Sequence, residues 1–121
     1  MSTLNVSNIT DGTDTVETGY VLNGSARAWA HVDQTGTQSI QDSYNISSIT
    51  DDGTGQTDHA LTSGMDNTTY AIFMGGRDTT YFGLFSTFAV DANNYRAGFG
   101  KDGNAYEDAE DVFSHVMGDL A

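Results

Sequence analysis

The chain has 121 residues, enough for one domain with a modest core. It contains no cysteine, which excludes disulfides and metal sites built from thiolates. Its formal net charge of -13, with only 4 Lys and Arg, argues against nucleic acid and anionic membranes as partners, and no apolar run is long enough to span a bilayer.

The composition predicts an all-β chain. Thr, Ser, Asn, Asp and Gly are abundant, whereas Leu, Glu and Lys, which favour helices, are scarce. Threonine favours strands, and Asp, Asn and Gly favour the turns between them. Short strand-like segments recur between turn signals along the chain, as expected for a sandwich of antiparallel sheets.

The clearest predicted strand is ARAWAHVD, residues 26–33. Its small and apolar residues, Ala26, Ala28, Ala30 and Val32, share one face, and Arg27, Trp29, His31 and Asp33 share the other. A turn at Asp11-Gly12 precedes this strand, and a turn around Gly36 follows it.

The segment SYNISSITDDGTG, residues 43–55, changes phase within a predicted strand. Tyr44 and Ile46 share a parity with Ile40 and are expected on the core face. Ile49 is one residue out of phase, so we predict a β-bulge near Ser47-Ser48 that returns it to that face. The Asp and Gly residues that follow suit a turn with positive φ.

Acidic turns raise the question of calcium. The weak candidate ligands are Asp51 and Asp52 in this turn and Asp102 and Asp108 near the C-terminus. No segment has the alternating oxygen ligands, central glycine and terminal glutamate of an EF-hand loop. We therefore interpret these residues as corners of the fold and expect neither a metal site nor a cofactor.

Further strands are predicted at 57–61, 70–74 and 95–99 from alternating residues. The stretch 79–90 has aromatic residues at both odd and even positions, which in a strand point to opposite faces, so we predict a strand that is covered on both faces. Its aromatic residues are expected chiefly in the core: Tyr81, Phe82, Phe85 and Phe88. Residues 108–120 fit either an amphipathic helix or a final strand, and periodicity does not decide between them.

Three stretches carry a resemblance to a known family: residues 23–55, which include ARAWAHVD and SITDDGTG, residues 62–72 (TSGMDNTTYAI) and the terminal VMGDLA. Together they resemble small tail-fibre-like structural proteins of marine and cyanobacterial bacteriophages. The opening MSTLNVSNITDG is similar to the short extended N-terminal piece of such proteins, whereas residues 75–110 match no part of the family.

The resemblance implies an all-β fold, a homotrimer and a place in the virion beside other virion proteins. It also implies that the C-terminal element is a strand, which we adopt. We accordingly expect an extended N-terminal attachment segment at 1–18 and an antiparallel β-sandwich or jelly-roll-like domain at 19–121. The family tends to have an aliphatic core residue where this chain has His59.

Catalysis is not expected. The histidines, His31, His59 and His115, are accompanied by no nucleophile motif, and carboxylate pairs arise by chance among 17 acidic residues. We interpret His59 as a core or edge residue with a satisfied hydrogen bond.

The stripe of Arg27, Trp29 and His31 is the candidate functional site. Tryptophan and arginine are typical anchors of protein interfaces, so burial against another subunit is favoured. The alternative is a glycan platform on which Trp29 stacks against a sugar.

We therefore expect a non-enzymatic structural protein of a phage virion, a trimeric tail-fibre or spike component that contacts the host surface, with a host cell-surface glycan as a candidate partner. A capsid decoration protein is the alternative role, in keeping with the small size of the chain. A free carbohydrate-binding module is a third possibility.

Overall fold

The structure, a computed structural model, describes residues 1–79, 83–101 and 105–121. Within these ranges the chain forms one helix, α1 (Thr18–Gly24), and the strands β1 (Asn8–Thr10), β2 (Thr15–Glu17), β3 (Ala28–Asp33), β4 (Ser39–Tyr44), β5 (Ile46–Gly53), β6 (Gln56–Leu61), β7 (Ala71–Arg77), β8 (Leu84–Ala89), β9 (Asn94–Lys101), β10 (Ala105–Tyr106) and β11 (Asp111–Met117).

Two antiparallel sheets form the body of the protein. One has the order β4-β3-β11-β7, and the other has the order β10-β9-β6-β5 with β8 also paired to β9. The predicted all-β antiparallel sandwich is confirmed. The predicted C-terminal strand is also confirmed, because β11 pairs with both β3 and β7 at the centre of the four-stranded sheet.

The core lies between the two sheets and consists of two apolar clusters. Buried residues of the first are Ala28, Leu61, Met65, Tyr70, Tyr95 and Val116, and those of the second are Ala97, Phe99, Ala109 and Val112. Tyr95 also links the sheets through a 2.8 Å hydrogen bond between its hydroxyl group and Ser114 Oγ. Because both groups are buried, this bond satisfies polar atoms that would otherwise be costly to remove from water.

His59 lies in the core, as predicted, but its predicted hydrogen bond is wrong. The side chain is fully buried on β6, and its ring stacks on Tyr95 with centroids 4.5 Å apart. Within the described residues, neither ring nitrogen has a hydrogen-bond partner.

The predicted strand around residue 44 is divided between the two sheets. β4 ends at Tyr44 and β5 begins at Ile46, and Asn45 between them has a φ of 58°. The Asn45 Nδ2 group donates hydrogen bonds to the carbonyl groups of Arg27 and Ser63 at 3.1 and 3.0 Å. Its Oδ1 atom accepts a 2.7 Å bond from the Ser63 amide. Asn45 therefore fixes the corner at which the chain crosses between the sheets.

We expect Asn45→Ala to lower the free energy of unfolding by about 2–3 kcal/mol, through lost hydrogen bonds and a left-handed backbone that alanine disfavours. Asn45→Gly removes the same bonds but tolerates the backbone, so it should cost about 1 kcal/mol less. Denaturant titration checks both values. Equal losses for the two variants would show that the backbone conformation of Asn45 contributes nothing.

The predicted bulge near Ser47-Ser48 is confirmed. Ile46 faces Leu61 and Ser48 faces Ala60, which leaves Ser47 as the extra residue. Ile49 then faces the buried His59.

The prediction that Tyr44 lies on the core face is wrong. In β4, Ile40 faces Val32 and Asp42 faces His31, so Gln41 is an extra residue that changes the phase of the strand. As a result Ile40 points inward, whereas Tyr44 points outward and is 61% exposed.

The strand predicted within residues 79–90 is confirmed as β8, but the prediction that both of its faces are covered is wrong where the structure describes them. Phe85 and Phe88 on β8 are each 48% exposed. Among the described residues β8 has β9 as its only paired strand, and Phe88 is paired with Arg96 on the side of the sheet away from the core. A strand at the end of a sheet has less neighbouring surface to cover its side chains. Tyr81 and Phe82 lie outside the described residues.

The N-terminal region contains more regular structure than the extended segment predicted from the sequence. β1 and β2 form a hairpin with the predicted turn at Asp11-Gly12, and α1 follows directly. The helix was not predicted, since its sequence TGYVLNG contains two glycines and no strong amphipathic pattern.

Candidate interaction face

The alternation predicted for β3 separates a core face from an outer face. Ala28, Ala30 and Val32 are at most 2% exposed, whereas Trp29 is 38% exposed and His31 is partly exposed. Trp29 and His31 therefore lie on the outer surface of the four-stranded sheet.

The strand register aligns aromatic side chains across this outer surface. Tyr44 on β4 is paired with Trp29 on β3, and Trp29 is paired with His115 on β11. His115 is paired in turn with Phe73 on β7, and the two rings stack with centroids 4.9 Å apart. One aromatic ring from each of the four strands thus forms a row across the sheet.

A second aromatic contact lies beside this row. His31 and Phe113 are paired across β3 and β11, and their ring centroids are 4.6 Å apart. Phe113 is 46% exposed and Phe73 is 51% exposed. We define the aromatic face as Trp29, His31, Tyr44, Phe73, Phe113 and His115.

An ion-paired cluster borders the aromatic face. His31 Nε2 lies 2.8 Å from Asp111 Oδ1, and Arg77 donates through Nε and Nη2 to Asp111 Oδ2 at 2.9 and 2.7 Å. The hydrogen bonds from Arg77 and then from His31 lower the pKa of Asp111, because they stabilise its carboxylate. The contact with Asp111 orients the His31 ring, and the Arg77 guanidinium compensates the negative charge of Asp111.

Arg27 lies at the border of the aromatic face and is bound to backbone. Its Nε group donates a 3.0 Å hydrogen bond to the Gly118 carbonyl, and its amide donates to the Val116 carbonyl at 2.7 Å. Of the three predicted site residues, the structure thus brings Trp29 and His31 together with other rings, whereas Arg27 ties the start of β3 to the end of β11.

Sequence reasoning missed Tyr44, Phe73, Phe113 and His115 as members of this site. The signal for two of them was present in VFSHVM, where Phe113 and His115 alternate with the buried Val112, Ser114 and Val116. That signal requires the segment to be a strand, a point that periodicity left open.

The remaining described cations are engaged on the other sheet. Arg96 donates to Asp58 through Nε and Nη2 at 2.6 and 2.8 Å, and its Nη1 lies 2.6 Å from Asp52 Oδ2. Lys101 Nζ lies 2.7 Å from Glu107 Oε2. These contacts compensate few of the chain's 17 carboxylates, so most of the protein surface is strongly acidic.

The described candidate metal ligands have structural partners. Asp51 Oδ1 accepts a 2.9 Å bond from the Gly53 amide, Asp52 pairs with Arg96, and Asp108 Oδ1 accepts a 2.6 Å bond from the Gly55 amide. Asp102 lies outside the described residues. In residues 1–79, 83–101 and 105–121, no group of three His, Asp or Glu residues could hold a metal ion.

Comparisons of the chain with family models, curated proteins and solved structures found no match. No helix in the described part of the chain has the length and apolar character needed to cross a membrane.

Proposed function

We propose that this chain is a non-enzymatic structural protein of a bacteriophage particle and that it assembles as a homotrimer through the aromatic face. The observation that carries self-assembly is the row of exposed rings across the four-stranded sheet. The place in the virion is supported by the resemblance of residues 23–55 and 62–72 to tail-fibre-like proteins.

The chemistry of the aromatic face suits contact with protein. An antiparallel sheet that faces water normally alternates apolar core residues with polar outer residues. Here six of the outer positions carry aromatic rings instead, with Trp29 at the centre of the row, whereas Asp42 beside His31 is polar. Contiguous exposed apolar surface of this kind marks interaction sites, and tryptophan is among the residues that contribute most to them.

The charge of the chain favours the same face for self-association. Each copy has a net charge of -13, so most pairs of surfaces on two copies repel each other. The six residues of the aromatic face carry no carboxylate, and Asp111 at its border is paired with Arg77 and His31; the exposed Asp42, the cross-strand partner of His31, lies beside them. Contact through the rings therefore keeps most of the chain's 17 carboxylates away from the interface.

A host glycan is the second candidate ligand for the same face. Exposed rings beside hydrogen-bonding groups, here His31 and Asp111, also suit a sugar, whose apolar face stacks on aromatic side chains. If the face binds a glycan, the chain is a tail-fibre or spike component that contacts the host directly.

The truncation Trp29→Ala tests the proposal. Loss of a buried aromatic anchor typically costs at least ~2 kcal/mol, so we expect association to weaken by about 30-fold or more while the far-ultraviolet dichroism of the β-sheets is retained. Sedimentation over a concentration series measures the effect.

Phe88→Ala is the matched control, because Phe88 is similarly exposed but lies on the other sheet. It should leave association unchanged. If Trp29→Ala sediments as the parent protein does but no longer adsorbs to host cells, the glycan role replaces the subunit interface.

The position in the particle is tested separately. An antibody against this chain should label purified phage particles, at the tail for a fibre or spike component and over the head for a decoration protein. A virion role would be contradicted if particles of the phage that encodes the chain bind no antibody and mass spectrometry finds no peptides of the chain in them.

A further inference from the structure

The N-terminal arm, residues 1–24, is a second uncovered apolar surface. Its hydrogen bonds are local: β1 and β2 pair with each other, and the Thr18 amide donates to the Ser7 carbonyl at 2.9 Å. Each of its large apolar side chains is at least 38% exposed: Met1, Leu4, Val6, Ile9, Val16, Tyr20, Val21 and Leu22.

The arm lacks the burial that such elements normally need. A lone two-stranded hairpin is marginally stable in water, and a helix shorter than about 12 residues is marginal as well. Helix α1 has 7 residues and none of them is buried. Contact with another apolar surface would supply the missing stabilisation.

We propose that the N-terminal arm of one copy lies on the aromatic face of a neighbouring copy. This inference rests on the proposed self-assembly through that face and names the segment that covers it. Each surface is apolar and uncovered within its own chain, and both belong to every copy, so one kind of contact covers both.

The size of the aromatic face also favours an added segment over face-to-face pairing. β3, β4, β7 and β11 contain 6, 6, 7 and 7 residues, and only alternate residues point outward. The face alone thus supplies fewer than the roughly 20–30 residues that a stable interface takes from each side. The arm adds residues from β1, β2 and α1.

Cross-linking tests the proposal in the full-length protein. Since the chain has no cysteine, Val21→Cys provides a single attachment point for a thiol-reactive photo-cross-linker. Mixed ¹⁵N-labelled and unlabelled copies are irradiated, and mass spectrometry identifies the joined peptides. We expect links between differently labelled copies, from the arm to β3, β4, β7 or β11. Ser48→Cys, an exposed position on β5, is the control and should give no such links.

The other outcomes overturn the proposal in distinguishable ways. The protein could form an oligomer in which the arm is linked only within its own copy, only to another arm, or only to the five-stranded sheet. Each of these results would exclude this contact but leave assembly through the aromatic face intact. Face-to-face links from a Phe73→Cys probe, without arm links, would do the same. A protein that is monomeric at every concentration would overturn the proposed assembly as well.

A double-mutant cycle gives an independent measurement. Val21→Ala and Trp29→Ala should each weaken association, and the double variant should weaken it by less than the product of the two single effects if the arm covers the face. Strictly multiplicative effects would show that the two sites do not share a contact.

Discussion

Gly55→Ala is expected to lower the free energy of unfolding by about 4 kcal/mol or more, a large part of the roughly 5–15 kcal/mol that stabilises a typical domain. Gly55 has a φ of 67°, which costs a residue with a Cβ atom about 1–2 kcal/mol. A Cβ atom would also lie within 3.0 Å of backbone atoms of Phe99 and Glu107. The Gly55 carbonyl accepts a 2.8 Å bond from Phe99, so the turn cannot move away without breaking it.

Gly36→Ala is the matched control for this variant. Gly36 has nearly the same φ, 65°, but a Cβ atom there would meet nothing within 4 Å. It should cost only the backbone term of about 1–2 kcal/mol. Chemical denaturation of both variants checks the difference, and a loss at Gly55 no larger than that at Gly36 would show that the turn has room for a methyl group.

The strands that sequence predicted correctly are those whose two faces differ strongly. In β3 the alternation of Ala28, Ala30 and Val32 with larger polar or aromatic residues requires one buried face. β6 shows the same regularity, with Thr57, His59 and Leu61 buried, and β9 shows it only in its first half, since Ala97, Gly98, Phe99 and Gly100 are all buried. Burial on one face imposes the period-two pattern, so the pattern identifies the face.

Predictions failed in two situations: where a bulge of one residue changes the phase of a strand, and where a strand lies at the edge of its sheet. The bulge at Gln41 turns Tyr44 outward, and neither residue type signals it. Phe85 and Phe88 are apolar enough for a core strand, but β8 has one paired neighbour among the described strands. Strand order depends on contacts between distant parts of the chain, which local patterns do not contain.

The same limit applies to the aromatic face. Trp29 and His31 could be selected from β3 alone, because they lie opposite its core residues. The row with Tyr44, His115 and Phe73 exists only because β4, β11 and β7 are placed beside β3 in one register. A single sequence contains the residues of such a row but does not show that they lie side by side.

The buried His59 should make the protein sensitive to mild acid. Burial lowers its pKa from 6.5 to about 4. The Asp58 charge and the polar backbone groups of Thr57 and Tyr95 attract the protonated ring and raise the pKa, but by less than burial lowers it. Protonation would place a charge in the core beside the Tyr95 ring, where neither ring nitrogen has a partner within the described residues. The folded state therefore favours the neutral imidazole, whereas the unfolded chain does not.

We expect this difference to cost about 3 kcal/mol of stability between pH 6.5 and pH 4. Because the folded pKa lies below the unfolded value, the unfolded state binds more protons in this window, so stability is complete above pH 6.5 and is lost as the pH falls towards 4. The slope should approach about 1.4 kcal/mol per pH unit in the middle of the window. Denaturant titrations measure this loss of stability. They are done at one protein concentration, because the apparent stability of an assembling protein depends on its concentration.

His59→Leu isolates this contribution. Leucine has no titrating group and leaves no unsatisfied nitrogen, so the variant should be at least as stable as the parent protein at pH 7. Subtracting its stability from that of the parent at each pH removes the effects of the other titrating groups, including the relief of charge repulsion as the 17 carboxylates become protonated. The difference should then change by about 3 kcal/mol between pH 6.5 and pH 4. A difference that stays constant over this range would mean that His59 is protonated as easily in the folded core as in the unfolded chain.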